Sequence, residues 1–71
     1  MATYYELLAQ HAVTEVHFNE AIDLGEIDQA AEIERKKYAL EQEIKARPEH
    51  AAYVQSLIDA GAHVAARWWQ S

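Results

Sequence analysis

From Tyr4 to Ile22 the apolar positions recur every three or four residues, the repeat of an amphipathic helix. The strongest stripe is Tyr4, Leu8, His11, Glu15, Phe18, Ile22, an alternation of four and three that describes a coiled-coil seam with two polar members at its centre. Thr3 followed by Glu6 predicts where this helix starts, because the hydroxyl can accept a first-turn N–H and the carboxylate suits the positive end of the helix dipole. Near Gly25 the phase fails, since its continuation would bury Gly25, Gln29, Glu32 and Lys36. A new stripe then runs Ala30, Ile33, Lys37, Leu40, Ile44. The shift predicts a tight turn at Gly25, with Asp23 and Glu26 capping the second helix. The rival is one continuous helix through Gly25, which costs about 1 kcal/mol for the glycine.

The second helix is expected to end in IKARPEH, where Lys45 and Arg47 complement the negative helix end and Pro48 disfavours helical geometry at Arg47. Pro48 suits the first position of a third helix, whose stripe His50, Val54, Leu57, Gly61, Val64, Trp68 again alternates by four and three. That unbroken phase places Gly61 inside the helix. The pattern predicts an all-α fold, a single helical domain over residues 1–71: a three-helix antiparallel bundle, made of a helical hairpin plus a third helix, with coiled-coil-like seams. The helices are expected at about 4–23, 26–46 and 48–69. Fourteen alanines against two glycines and one proline leave a strand reading little support.

At 71 residues such a bundle is marginal on its own, and with no cysteine it has neither disulfides nor thiolate metal sites to supplement it. Self-association or a protein partner is the remaining device, so a homodimer is expected. No basic start followed by an apolar core opens the chain, and no run approaches the ~20 apolar residues of a membrane span, which predicts a soluble, cytoplasmic protein that does not enter membranes.

Charge changes the picture further. The net charge is −6, and residues 1–34 carry eight carboxylates with no Lys or Arg, while the remainder carries six basic residues against four acidic ones. Direct nucleic-acid binding is disfavoured, because the only basic cluster is Arg35, Lys36, Lys37. Around the first turn Glu20, Asp23, Glu26, Asp28 and Glu32 form an acidic band that either solubilises the protein or meets a basic partner. Trp69, off the third stripe in ARWWQS, is a candidate interface anchor or a residue packed within its own chain.

The polar seam residues His11, Glu15 and Lys37 admit three readings. With a turn at Gly25, Glu15 should arrive beside Lys37, and a buried pair of this kind adds little stability while fixing register and partner choice. Alternatively the seam is half buried and Lys37 keeps its amine in water. Metal binding is the sharpest reading: His11 with Glu15, and Asp59 with His63, have the four-residue spacing of two ligands on one helical face, with Glu34 and Glu41 in reserve. Neither the Glu-x-x-His of di-iron bundles nor the His-Glu-x-x-His of zinc hydrolases occurs, clustered glycines are absent, and Ser56 and Ser71 have no credible base, so no enzyme and no cofactor is expected. The functional expectation is a small acidic helical protein-binding module, an adaptor or inhibitor. The alternatives are an acidic DNA mimic that occupies a nucleic-acid-binding protein and, third, a metal-binding bundle.

Overall fold

A computed structural model describes residues 2–70 of the chain. The described residues form helices joined by short connections, with no strand among them, in the order α1 (Tyr4–Asp23), α2 (Ile27–Lys45), α3 (Glu49–Asp59) and α4 (His63–Gln70). No helix among them is long and apolar enough to cross a membrane. The Thr3 hydroxyl accepts the backbone N–H of Glu6 at 3.1 Å and so starts α1. Gly25, at φ +74°, ends it: the N–H of Gly25 bonds to the Ile22 carbonyl and that of Glu26 to the Ala21 carbonyl, the paired bonds of a Schellman turn. Glu26 occupies the N-cap of α2 without any side-chain hydrogen bond, so the capping pair expected from Asp23 and Glu26 does not form.

The described residues form four helices, not three. The expected third helix breaks at Gly61, which stands at φ +83° and repeats the Schellman bonds of Gly25, with Gly61 N–H to Ile58 O and Ala62 N–H to Leu57 O. An unbroken four-and-three phase concealed this stop, because a glycine can fall on a seam position and still terminate the helix there. A Cβ added at Gly61 would meet nothing within 4 Å, so the cost of Gly61→Ala is conformational alone. It is expected to lower stability by about 1–2 kcal/mol in a urea titration, the penalty of a left-handed backbone for an L side chain. A glycine inside a continuous helix would give the opposite sign, since alanine there would stabilise by about 1 kcal/mol.

The first helix also buries a different stripe. Tyr4, Leu7, His11 and Ala21 are buried and Thr14 and Phe18 partly so, whereas Glu15 and Ile22 are exposed. This stripe alternates by three and four and shares Tyr4, His11 and Phe18 with the expected one. It wins because it leaves the Glu15 carboxylate in water, where solvation is worth several kcal/mol, and buries the small Ala21, as α2 buries the small Ala30. The α2 stripe is the expected one, with Ala30 and Ile44 buried and Ile33, Lys37 and Leu40 partly buried.

The core lies at the open end of the α1/α2 hairpin. There Tyr4 and Leu7 of α1, Ile44 of α2, Val54 of α3 and Ala66 and Trp69 of α4 form one cluster, with Leu8, Leu40, Tyr53, Leu57 and Ile58 packed around it. The backbone spans 38 × 29 × 18 Å, and a least dimension of 18 Å is about two helix layers. The α3/α4 hairpin therefore covers one face of α1/α2 near its open end.

Candidate functional site

Three places carry polar or exposed groups that the fold has positioned: the core histidines, a cleft beside Trp68, and the uncovered part of the α1/α2 hairpin.

Among the described residues His11 is the one buried polar residue, 6% exposed, and its Nε2–H donates to the Glu41 carboxylate at 2.8 Å. Its ring lies 5.2 Å from that of Trp69 and 5.8 Å from that of Trp68. Sequence reasoning offered Glu41 only as a reserve metal ligand and missed it as the hydrogen-bond partner of His11. Glu41 stands one position beyond Leu40 on the flank of the α2 stripe, and the hairpin register is what brings it opposite His11. The ion pair expected between Glu15 and Lys37 is absent: Glu15 is exposed, and the Lys37 ammonium lies over the Phe18 ring, 5.4 Å from its centroid.

His50 ties three elements together. Its Nε2 meets the backbone carbonyl of Trp69 at 3.2 Å, and since a carbonyl only accepts, Nε2 carries the proton. Nδ1 then accepts from the Tyr4 hydroxyl at 2.8 Å. Burial, helped by the nearby Tyr53 and the Glu49 carboxylate, raises the Tyr4 hydroxyl from its ordinary 10.0 to about 12. A raised pKa means that the fold favours the neutral hydroxyl, so this contribution is complete below pH 10 and is lost as pH climbs from 10 toward 12. Tyr4→Phe is expected to cost about 1 kcal/mol at neutral pH, by leaving Nδ1 without its donor, and to flatten part of the alkaline fall in stability. Urea titrations of both proteins at neutral pH and near pH 11 check this.

The two tryptophans exchange the expected places. Trp69 is 8% exposed in the core and is not available as an interface anchor, while Trp68 is 45% exposed with its ring edge-on to that of Trp69 at 4.7 Å. The physical reason is the break at Gly61, which resets the phase of α4 so that Ala66 and Trp69 face inward. Trp68, Val64, Leu8 and Glu15 border a cleft of about 610 Å³ between α1 and α4.

The break also separates Asp59 from His63, which fall in α3 and α4 and no longer share a helical face. Asp59 instead accepts a hydrogen bond from Gln55 at 3.0 Å. Glu34 is exposed on α2, and among the described residues no three His, Asp or Glu side chains converge as a metal would require. The Ser56 hydroxyl donates to the Tyr53 carbonyl at 2.7 Å, and Ser71 lies outside the described residues. The chain matches no known protein family, no characterised protein and no solved structure. Any reading of its function rests on its own surfaces.

Those surfaces are unevenly covered. Glu20, Asp23, Glu26, Asp28 and Glu32 are all exposed around the α1–α2 turn, and none of them enters an ion pair among the described residues. Of the nine large apolar side chains left exposed among the described residues, six lie between residues 13 and 38: Val13, Val16, Ile22, Leu24, Ile27 and Tyr38. On one face of this hairpin a groove of about 740 Å³ runs between α1 and α2, past Val13, Ile33 and Leu40.

Proposed function

We propose that the chain is a small acidic protein-contact module of the cytoplasm, an adaptor or inhibitor, which acts by presenting helical faces and pairs with a second copy of itself. The observation that carries this reading is the concentration of exposed large apolar side chains on the part of α1/α2 that α3/α4 do not reach. A core of six buried apolar side chains leaves a chain of this length marginal, and covering that surface supplies what it lacks. Sedimentation equilibrium at micromolar concentration tests it. Twice the mass of one chain is expected; a monomer with full helicity and cooperative melting contradicts self-association.

A second reading is supported by the acidic band. Five exposed carboxylates without ion-pair partners around one turn offer a basic protein a row of charges like that of a nucleic-acid backbone. On this reading the protein displaces duplex DNA from a basic DNA-binding domain, and does so less well as salt rises. Reversal of Glu20, Asp23 and Glu26 to lysine should abolish displacement; unchanged displacement rules the reading out.

A further inference from the structure

The groove on the α1/α2 hairpin lies on the face turned away from α3 and α4. Its lining includes Ala9, Val13 and His17 of α1, whereas the α3/α4 side of that helix presents Leu8, His11 and Glu15. Along α2 its wall carries Lys36, Ala39, Leu40 and Glu43. One turn before Lys36 stands the exposed Glu32 of α2, and just past the end of α2, in the bend before α3, stands the half-buried Arg47. Glu32, Lys36, Glu43 and Arg47 thus read minus, plus, minus, plus, symmetrically placed about the point between Ala39 and Leu40. Reversing the direction of such a row sets every charge against its opposite.

We propose that this groove is the interface of an antiparallel homodimer whose two-fold axis crosses α2 between Ala39 and Leu40. That register sets Lys36 of each copy against Glu43 of the other, and Glu32 of each against Arg47 of the other. It also places α1 correctly. His11 sits opposite Glu41 within the hairpin, so the level between Ala39 and Leu40 corresponds to Ala12 and Val13, and the 54% exposed Val13 is covered by its counterpart near the axis. A parallel pair would bring the two acidic turns together, with eight carboxylates and no Lys or Arg in the first 34 positions of each copy. The antiparallel pair keeps them at opposite ends, each beside the basic end of the other α2. An interface of this kind is isologous and closes at two copies.

Within one chain the Arg47 guanidinium also donates to the Ala2 carbonyl at 3.0 Å and reaches Glu43 at 3.6 Å, so the same charges have a local use. The experiment separates the two roles. This proposal rests on the self-association proposed above, and the wild-type protein is measured first: if it is a monomer, that reading falls and this one with it. If it is a dimer, Lys36→Glu and Glu43→Lys are each expected to weaken dimerisation roughly ten- to thirtyfold, because each homodimer then holds two like-charge contacts. Circular dichroism of each variant, with helicity equal to wild type, shows that the chain is still folded. An equimolar mixture of the two single variants is expected to form a heterodimer of wild-type affinity, since every facing pair is opposite again. A wild-type dimer whose variants pair as tightly as before, or whose mixture fails to associate, overturns the groove register and leaves self-association through another face.

Discussion

Trp69→Ala is expected to remove about 3–5 kcal/mol of unfolding free energy, and Trp68→Ala about 1 kcal/mol or less. Trp69 is buried, and its ring packs edgewise against His50 and Tyr53 at 5.6 and 6.4 Å and against His11 at 5.2 Å. Its removal opens a cavity between all four helices that a two-layer fold has little left to fill. Domains of this size hold about 5 kcal/mol in total, so the variant should lose its cooperative transition near room temperature. Trp68 has nearly half its surface in water and leaves a smaller void. Urea titration followed by circular dichroism ranks the two. A Trp68 variant less stable than the Trp69 variant would restore the unbroken third helix and reverse the assignment of faces.

Loss of one partner of the His11–Glu41 hydrogen bond is the next largest effect. Glu41→Ala leaves the His11 Nε2–H without an acceptor beside two indole rings, and is expected to cost about 2 kcal/mol. His11→Leu together with Glu41→Leu removes both polar groups and should bring stability back to within about 1 kcal/mol of the wild type, because burying two ionisable groups costs nearly what their bond returns. A double-mutant cycle in urea measures the coupling. Independent, additive losses would mean that the bond has no energetic weight and that His11 is held by its ring contacts alone.

The sequence pattern carried the all-helical class, the cap at Thr3, and the α2 stripe from Ala30 to Ile44, because in α2 one stripe alone is apolar enough to bury. In α1 two stripes of equal regularity compete. Leu8 and Ile22 are a larger apolar set than Leu7 and Ala21 taken with Thr14, so apolar content alone favours the wrong one. What decides is the charge of Glu15 and the small size of Ala21, and neither is weighed by periodicity. Gly61 was hidden for a related reason: the break preserves the spacing of four and three while turning α4 about its axis, which exchanges Trp68 for Trp69. The His11 partner lay beyond sequence reading because Glu41 is off the stripe, and a flank residue meets a seam residue only once the hairpin register is known. The acidic band was legible as charge, and its position around the turn follows from Gly25.

The antiparallel pairing of two α1/α2 hairpins can be read from one distance. With no native cysteine, Asp28→Cys at the start of α2 carries a single spin label near the turn. Asp28 lies between eleven and twelve residues from the proposed axis, so in the homodimer the two labels should be about 35 Å apart at 1.5 Å rise per residue. A pulsed electron-paramagnetic-resonance distance centred there is the expected result; a distance under about 20 Å, which a parallel pair would give, or no intermolecular distance at all, contradicts it.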